Sequence, residues 1–395
     1  SQFFCVEVKS ELAFGAENLR IEKDEILRRI TAASQELNFT HLLDKTMFEL
    51  SGGEKQKIAC ASVSVMDNPI VVLDEPSSNL DMDATADLKK MIGYWKKQGK
   101  TVVIAEHRLE YLKEPADRFI YMKNGAIVFS SDARRMRTLP EEKLTKMGLR
   151  SFSYEHLKIR NTKEAEASLG IRDFSFHYKN AKKKSLSIDA LDFPKSSVVA
   201  VIGKNGAGKS TFVRCLCGLE KRGKGVLHDG EKKLLSKNRL DRSFLVMQDV
   251  NRQLFTESVE EEITLGMETE DADLLEKILK EFDLYAYRKS HPMSLSGGQK
   301  QRVAVASAVA SGRDYIIFDE PTSGLDDFHM KQVAGCLKDL QESGKTVLVI
   351  THDIELIYAC CNYILRIEDG NAAELYRMCG ENEARLKKFF NVFSF

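Results

Sequence analysis

The sequence lacks an excess of either charge, because 59 Lys and Arg residues balance 59 Asp and Glu residues. A protein whose main task is to coat nucleic acid is usually strongly basic. Proline and glycine are also scarce, with 7 and 24 residues, which excludes a fibrous or low-complexity chain. The composition therefore indicates a globular protein and argues against non-specific nucleic-acid binding.

Long apolar runs are missing as well. The longest ones, such as residues 198–202, extend over about five residues, whereas a membrane-spanning helix needs about 20. The 8 cysteines do not follow the spacing of a zinc ribbon or a redox pair. Most stand beside Ala, Leu or Val, where a free cysteine behaves as a small core residue. Reduced thiols and the lack of a signal peptide predict a cytoplasmic protein.

An internal repeat organises the sequence. Residues 50–56, LSGGEKQ, recur 245 residues later as LSGGQKQ, and LDEP at 73–76 recurs as FDEP at the same offset. His107 and His352 keep this offset too, whereas the first part of the repeat has an offset of 251. Residues 169–252 have no counterpart in the first copy, which therefore lacks its front.

A charged segment separates the two copies. Residues 131–168 contain nine Lys or Arg and six Asp or Glu, which predicts a helical connector with solvated charges rather than a flexible Gly/Ser linker. The predicted domains are 1–130, an incomplete first domain, 131–168, the connector, 169–370, a complete second domain, and 371–395, a helical tail.

Short apolar runs rich in β-branched residues alternate with longer helical stretches in both copies. This alternation predicts an α/β fold with a mainly parallel sheet, present twice. The predicted strands are 70–73, 101–105, 315–318 and 346–350. Two of the predicted helices are 54–65 and 330–342.

A phosphate-loop pattern stands in the second copy. A predicted strand at 198–202 is followed by GKNGAGKS and by a predicted helix at 211–217, which is G-x-x-x-x-G-K-S in its required context. Glycines let backbone N–H groups surround phosphate oxygens, and the helix N-terminus adds partial positive charge. We expect Lys209 to reach the β- and γ-phosphates and the Ser210 hydroxyl to bind Mg²⁺.

Acidic residues and histidines follow the predicted strands. Asp319 ends an apolar run, and a carboxylate at the carboxyl end of a strand suits a Mg²⁺ ligand. Glu320 would then act as general base towards the attacking water, and Glu75 is its counterpart in the first copy. His352 follows another strand, as His107 does in the first copy, which favours a role near the γ-phosphate.

Together these motifs resemble those of ATP-binding cassette (ABC) ATPases, which carry them in the same order. The resemblance implies a P-loop NTPase of the ABC ATPase type, with a mainly parallel sheet, a helical signature subdomain, and ATP and Mg²⁺ as cofactors. It makes Gln248 the Q-loop glutamine, although a lone glutamine is usually a surface residue. It makes Tyr178 the aromatic residue that stacks on adenine, since any aromatic ring can stack on a purine.

The resemblance assigns three sets of residues. The nucleotide-binding candidates are Tyr178, Gly203, Asn205, Gly206, Ala207, Gly208, Lys209, Ser210, Thr211, Ser51, Gly52, Gly53, Ser296, Gly297 and Gly298. The catalytic candidates are Glu320, His352, Gln248, Glu75 and His107. The Mg²⁺ ligands are Ser210, Gln248 and Asp319.

ABC ATPases work as head-to-tail pairs, so the resemblance implies cassette pairing, within the chain or with a second copy. Each ATP would lie between the phosphate loop of one cassette and the Leu-Ser-Gly-Gly signature of the other. One such site is complete in the sequence, whereas the other lacks a phosphate loop, an adenine aromatic and a Q-loop glutamine. The chain also begins with Ser1 rather than Met, and we therefore expect it to be a fragment of a longer two-cassette protein.

A narrower resemblance is to energy-coupling-factor importers of vitamins and metal ions. The residues that carry it are 1–4, Val8, Glu11, Leu12, Phe14, Gly15, Glu17, Asn18 and 105–108. It implies an ATP-hydrolysing subunit at the cytoplasmic face of the membrane. Such a subunit docks on integral membrane transporter subunits, with 249–266 and 2–15 as the expected contacts, and binds no nucleic acid.

Two other classes of tandem cassette protein remain as alternatives. Soluble cassettes that act on ribosomes or other RNA-containing assemblies typically have a longer, basic connector, and the neutral charge also speaks against them. DNA-repair cassettes need a coiled-coil or zinc insertion, and the sequence shows neither heptads nor cysteine pairs. Transport is therefore the favoured interpretation.

Two local patterns allow more than one interpretation. The lysines at 182–184 are expected in a solvated hairpin turn. In the tail, Leu386, Phe389, Phe390 and Phe393 fall on one helical face. That face suits packing in a core or an interface, or contact with a membrane surface.

Overall fold

The computed structural model describes residues 3–50, 52–78, 80–160, 164–165, 168–179 and 185–390. The chain forms two compact units, unit one (Ser1–Ser153) and unit two (Tyr154–Phe395). The division falls inside the predicted connector 131–168. The lysines at 182–184 and Phe393 lie outside the described residues, so the turn predicted for the first and the helical face predicted for the second stay predictions.

Unit one is a set of helices followed by short strands. Its helices, among the described residues, are α1 (Val8–Asn18), α2 (Lys23–Glu36), α3 (Gly52–Met66), α4 (Met82–Lys97), α5 (Ala133–Arg137) and α6 (Glu141–Lys146). Its strands are β1 (Ile70–Asp74), β2 (Thr101–Ala105), β3 (Arg118–Lys123) and β4 (Ala126–Asp132). Strands β1 and β2 are parallel, and β3 and β4 form a separate antiparallel hairpin.

Unit one has a core of its own. Trp95 on α4 is fully buried, and its indole N–H donates to Ser64 Oγ on α3 at 2.6 Å. Apolar side chains of α1 and α2, such as Leu12 and Ile30, complete the same core. A smaller cluster that includes Met136 and Leu144 lies beneath the hairpin, so α5 and α6 belong to unit one although the sequence places them in the connector.

Unit two contains a larger sheet system. Its strands are β5 (Ser168–Phe176), β6 (Leu186–Pro194), β7 (Val198–Ile202), β8 (Lys224–Asp229), β9 (Lys232–Lys233), β10 (Ser243–Val246), β11 (Tyr315–Asp319), β12 (Thr346–Ile350), β13 (Tyr363–Glu368) and β14 (Asn371–Arg377). Its helices are α7 (Lys209–Leu216), α8 (Ser236–Asp241), α9 (Val259–Thr264), α10 (Ala272–Glu281), α11 (Gly297–Ala310), α12 (Asp327–Glu342), α13 (Ile354–Cys360) and α14 (Glu383–Phe389).

The central sheet of unit two has six strands in the order β10-β11-β12-β7-β13-β14, of which only β14 is antiparallel to its neighbour. A second, antiparallel sheet has the order β6-β5-β8-β9. Strands β7 and β12 are buried along their whole length, which explains their unbroken apolar sequences. The predicted α/β fold with a mainly parallel sheet is confirmed.

The sequence repeat is also a structural repeat. Strands β1 to β4 and helix α4 correspond to β11 to β14 and α12 at an offset of 245 residues at both ends. The registers agree, since Ile70 pairs with Thr101 as Tyr315 pairs with Thr346. Helix α14 buries Leu386 after the second hairpin, as α6 buries Leu144 after the first. The repeat therefore continues into the segment 371–395. That segment was predicted to be a helical tail, but it begins with strand β14, which completes the second hairpin, and is α-helical only from α14 onwards in its described part.

Predicted and observed elements differ mainly at their ends. Helix α12 begins three residues earlier than predicted because Asp326 caps its N-terminus through the His329 N–H. Helix α7 begins at Lys209 rather than at 211. The predicted connector is helical only in α5 and α6 within its described part. Among the described residues, no helix is long and apolar enough to cross a membrane.

Candidate active site

The loop between β7 and α7 has a backbone that requires glycine, as Gly203 and Gly206 show. A Cβ atom on Gly203 would lie 2.2 Å from the carbonyl oxygen of Ile367, so only glycine fits there. Gly206 has a φ of +81°, which L-residues rarely adopt, and a Cβ there would meet no atom within 4 Å. The loop is therefore tightly held at its base and open at Gly206, as a phosphate cradle has to be.

Lys209, the first residue of α7, folds back along this loop. Its Nζ atom donates to the carbonyl oxygens of Gly203 and Lys204 at 2.7 and 3.1 Å, and the residue is only 7% exposed. An ammonium group held inside the loop makes the cradle positive. That charge suits the binding of a polyphosphate.

Ser210 and Asp319 meet where α7 begins and β11 ends. The Ser210 hydroxyl donates to Asp319 Oδ2 at 2.9 Å. Burial raises the pKa of the Asp319 carboxyl above its ordinary value, while the Ser210 hydrogen bond and the charge of Lys209 oppose that rise. A hydroxyl and a carboxylate are the oxygen ligands that Mg²⁺ prefers, and Mg²⁺ usually completes its shell with water and substrate phosphates.

The donor set therefore fits Mg²⁺ bound together with a nucleotide. No group of three or more His, Cys, Asp or Glu that could hold a metal ion occurs among the described residues. A site of one hydroxyl and one carboxylate consequently depends on ligands from the substrate.

Glu320 and His352 lie on neighbouring loops at the same end of the sheet. Glu320 has a φ of +53°, and its N–H donates to the carbonyl oxygen of Ile350 at 2.9 Å. The Nε2 atom of His352 is 3.7 Å from Glu320 Oε1, and both side chains are almost fully buried. The structure therefore brings the predicted base and the predicted histidine together.

Tyr178 lies beside α7. Its hydroxyl is 3.2 Å from Thr211 Oγ1, and its ring packs edge-on against Phe176 with the centroids 4.9 Å apart. The residue is 40% exposed. An exposed aromatic ring next to the phosphate loop can stack on a base.

Gln248 follows β10, which pairs with β11. Parallel strands end at one edge of a sheet, so Gln248 and Asp319 lie on the same edge. Gln248 is exposed there, whereas Ala207 in the phosphate loop is buried and Asn205 is half-buried.

Unit one repeats the glutamate and the histidine but not the phosphate loop. Glu75 has a φ of +42°, its N–H donates to the carbonyl oxygen of Ala105 at 2.9 Å, and its Oε1 lies 3.4 Å from His107 Nε2. The hydrogen bond with His107 lowers the pKa of the Glu75 carboxyl. Both side chains are more than one third exposed. Water therefore reaches this pair, whereas the Glu320–His352 pair of unit two is almost fully buried.

The signature sequence of unit two begins helix α11. Ser296 Oγ accepts the Gln299 N–H at 3.4 Å, and Gln299 Oε1 accepts the Ser296 N–H at 2.9 Å, which forms a capping box. Gly297 is exposed, and a Cβ there would meet no atom within 4 Å, whereas Gly298 is half-buried. The helix N-terminus is thus open to a ligand from outside the unit.

The first signature is described only in part. Ser51 lies outside the described residues, and its predicted role stays a prediction. Gly52 begins α3 and is exposed, and a Cβ on Gly53 would lie 3.2 Å from Ala84 Cβ.

Two polar contacts, one in each unit, were missed by the sequence analysis. Thr322 bonds to Asp353 in unit two, and Ser77 bonds to Glu106 in unit one. A signal was present, because a hydroxyl residue stands two positions after the strand-end glutamate in both copies. A buried glutamate, Glu262, was also missed, and it holds the turn that follows Gln248.

Known proteins share the sequence along most of the chain. A family profile described as ABC transporter matches residues 6–78 and 186–323. An ABC transporter ATP-binding protein of Treponema denticola is 40% identical over 399 residues, covering 100% of this chain and 81% of the relative. A protein of the same description from Saccharolobus solfataricus is 31% identical over 402 residues, covering 94% of this chain and 75% of the relative.

Solved structures share the fold. The archaeal ribosome recycling factor aABCE1, solved with the archaeal ribosomal stalk protein aP1, has a TM-score of 0.64 and 22% identity, covering 93% of this chain and 72% of that chain. RNase-L Inhibitor has a TM-score of 0.67 and 21% identity, covering 93% of this chain and 73% of that chain. Since the profile matches both copies over more than half of the chain, this protein belongs to the ABC transporter ATP-binding family, the ATPases that its motifs predicted, and carries the cassette repeat in tandem.

Proposed function

We propose that unit two binds Mg²⁺-ATP at the loop between β7 and α7 and hydrolyses it there. The observation that carries the proposal is the meeting of Lys209, Ser210 and Asp319 in one place, with Glu320 next along the chain. Lys209 and the loop N–H groups hold the phosphates. Ser210, Asp319 and Gln248 are the residues that would hold Mg²⁺, whose charge offsets the charge that develops on the phosphates.

The remaining residues orient the nucleotide and handle the proton. Tyr178 stacks on the adenine ring, and Thr211 stands beside its hydroxyl. Glu320 accepts a proton from the attacking water. His352, 3.7 Å from that carboxylate, faces the γ-phosphate. The nearly complete burial of both groups strengthens their electrostatic effect.

The nucleotide site is completed by a second cassette. In this proposal the first signature, Ser51 with Gly52 and Gly53, meets the γ-phosphate of the ATP that Lys209 holds; the two glycines begin α3. The exposed N-termini of α3 and α11 support such pairing, because a helix N-terminus binds anions. Closure over ATP and opening after hydrolysis then form the working cycle.

The work done by this cycle is membrane transport. One supporting observation is a duplicated surface turn: in unit two, Glu262 accepts the N–H groups of Phe255 and Thr256, and the Phe255 side chain is left 73% exposed. In unit one, Glu11 holds Phe4 in the same way, and Phe4 is 74% exposed. A buried carboxylate that presents an exposed aromatic residue is suited to docking on another protein.

The proposed partners are integral membrane transporter subunits, at the cytoplasmic face of the membrane. Energy-coupling-factor importers of vitamins or metal ions are the proposed class, on the sequence resemblance at 1–18 and 105–108. Relatives described as ABC transporter ATP-binding proteins support transport as the general role.

Action on ribosomes is the second candidate. The observation that favours it is the tandem cassette fold shared with aABCE1, a ribosome recycling factor, along 93% of this chain. Identity of 22% carries only the fold. The balanced charge of this chain favours a protein partner over ribosomal RNA.

ATPase and fractionation measurements test these proposals. Purified protein should hydrolyse ATP in the presence of Mg²⁺, and Lys209→Ala should bind ATP more weakly. In a cell extract the protein should sediment with membranes and not with ribosomes. Phe255→Ala should release it from membranes without loss of ATP binding, since that side chain lies outside the nucleotide site. Sedimentation with ribosomes that resists Phe255→Ala would favour the second candidate.

A further inference from the structure

Two loops at the end of the central sheet in unit two are joined by a buried hydrogen bond. The Thr322 hydroxyl donates to Asp353 Oδ2 at 2.7 Å. Thr322 stands two residues after Glu320, and Asp353 directly follows His352. Since Thr322 is 2% and Asp353 4% exposed, water competes little for this bond.

The Asp353 carboxylate also fixes the start of α13. Its Oδ1 atom accepts the N–H groups of Glu355 and Leu356 at 3.1 and 3.2 Å, as an N-cap does. One carboxylate thus ties the loop that carries Glu320 to the helix that follows His352. The N–H of His352 in turn lies 3.4 Å from Glu320 Oε2.

Unit one makes the same connection with a different residue. The Ser77 hydroxyl, two residues after Glu75, donates to Glu106 Oε2 at 2.8 Å. Glu106 precedes His107 instead of following it, and its Oε1 atom accepts the His107 and Arg108 N–H groups at 2.9 and 3.1 Å. The carboxylate therefore reaches the hydroxyl from the other side of the histidine.

We propose that Thr322 and Asp353 are positioning residues that hold Glu320 and His352 at their working separation. The inference rests on the hydrolysis proposed above. It is carried by the repeat, which keeps the hydroxyl-to-carboxylate contact while the carboxylate comes from another position. The distance from histidine Nε2 to glutamate Oε1 is similar in the two units, 3.4 and 3.7 Å, although one pair is exposed and the other buried.

The first test replaces only the hydroxyl. Thr322→Val keeps the shape of the side chain and removes the donor, whereas Thr322→Ser keeps the donor and is the residue that unit one uses. We expect Thr322→Val to lower kcat for ATP hydrolysis about 10- to 10²-fold, because misplacement by about 1 Å costs up to about 10²-fold. Thr322→Ser should stay within about two-fold of wild type, and neither change should alter KM for ATP by more than about two-fold.

The second test moves the unit-one arrangement into unit two. Asp353→Ala should lower kcat, and it also removes the cap of α13, so thermal unfolding is measured for each variant. Adding Thr351→Glu places a carboxylate where unit one has Glu106. The double variant should have a kcat at least about five-fold higher than Asp353→Ala alone, because the loss of kcat comes from misplaced catalytic groups and not from lower stability.

The possible outcomes separate this inference from the function on which it rests. If Thr322→Val kept the wild-type kcat while Glu320→Gln was inactive, only the positioning role of Thr322 and Asp353 would be overturned. The same conclusion would follow from equal losses in Thr322→Val and Thr322→Ser, or from a folded double variant that recovers nothing. If Glu320→Gln itself hydrolysed ATP normally, the proposed hydrolytic role would fail first.

Discussion

Units one and two differ most on the faces of their parallel strands. Val72 and Val103 in unit one are 71% and 51% exposed, whereas their counterparts Ile317 and Leu348 in unit two are fully buried. Other large apolar side chains of the unit-one strands are exposed as well, namely Ile70, Ile120, Met122, Ile127 and Val128. Equivalent strands thus have opposite surroundings in one chain.

The phosphate-loop strand accounts for the difference. In unit two, β7 pairs with β12 on one side and β13 on the other, and Phe212 on α7 packs in the same core as Ile317 and Leu348. Within the described part of unit one, β2 and β3 belong to separate two-stranded sheets. A strand's local sequence sets its conformation, but a distant segment sets its burial.

The two units also differ in the burial of their glutamate–histidine pairs. The glutamate and histidine of unit one are 37% and 38% exposed at their side chains, and those of unit two are 6% and 4% exposed. Their backbone conformations are nevertheless alike. Electrostatic catalysis works best where water is excluded, so within residues 1–395 the buried pair of unit two is better suited to the proposed hydrolysis than the exposed pair of unit one.

The largest expected effect separates the two glutamates. Glu320→Gln should lower ATP hydrolysis about 10²–10⁴-fold, because the amide cannot accept the proton of the attacking water. ATP binding should persist, since Lys209 and Ser210 are unchanged. Glu75→Gln is the matched control. In a protein of residues 1–395 it should have a much smaller effect, because residues 1–168 contain no phosphate-loop sequence. Equal losses in the two variants would contradict the assignment.

The next largest effect concerns the two signature sequences. Ser51→Arg should lower turnover about 10²–10³-fold, as expected for loss of one donor to the transition state, if unit one faces the ATP held by Lys209. Binding of ATP to unit two in the open state should remain. In a protein of residues 1–395, Ser296→Arg should matter much less, because residues 1–168 contain no phosphate-loop sequence for it to face. A longer parent would need its first phosphate loop disabled for the same comparison.

The reverse result would mean that a different cassette pairs with unit two. If Ser296→Arg were damaging and Ser51→Arg harmless, two copies of unit two would pair with each other instead. Turnover measured at several protein concentrations distinguishes these arrangements, since only pairing between two chains becomes weaker on dilution.

A smaller effect concerns the two lysines of the phosphate loop. Lys209→Ala should weaken ATP binding about 10- to 10²-fold, which corresponds to one charge-assisted hydrogen bond of about 1.5–3 kcal/mol. Lys204→Ala is the control, because its exposed side chain is removed while its carbonyl group remains. Titration with a fluorescent ATP analogue measures both. Similar affinities for the two variants would exclude a phosphate contact for Lys209.

Much of the fold could be predicted because its signals are local. The strand at 101–105 and the loop that follows β7 depend on apolar runs and glycines that lie next to each other in the sequence. The predicted helical tail was wrong at residues 371–377, because NAAELYR has no run of β-branched residues and becomes strand β14 by pairing with β13. Burial of the unit-one strands depends on a segment far away in the sequence, so apolar pattern alone could not decide it.

In the candidate site too, local motifs could be predicted and contacts between distant segments could not. Lys209 and Asp319 stand in strong motifs, and the hydroxyl of Ser210, the residue after Lys209, donates to Asp319. Their roles towards ATP and Mg²⁺ stay predictions. The hydrogen bond between Thr322 and Asp353 joins residues 31 positions apart, and no sequence motif contains both. Contacts between two loops depend on the register of neighbouring strands, which the sequence does not display.

The smallest expected effect is a pH-dependent difference in the stability of unit one. The folded-state pKa of Glu75 is lowered by its hydrogen bond with His107. A lowered carboxyl pKa stabilises the folded state fully above the unfolded pKa, and this contribution is lost as the pH falls through the folded pKa. Glu75→Gln should therefore be less stable than wild type at neutral pH by a few tenths of a kcal/mol, since the pair is exposed and screened, and equally stable in acid.

Trp95 makes this small difference measurable. It is the only tryptophan of the chain and is buried in unit one, so its fluorescence follows the urea unfolding of that unit. Glu320→Gln is the control and should leave the Trp95 transition unchanged at every pH, because Glu320 lies in unit two. A difference between wild type and Glu75→Gln that grew as the pH fell would have the wrong sign for a lowered carboxyl pKa. It would show that Glu75 is not stabilised in its charged form.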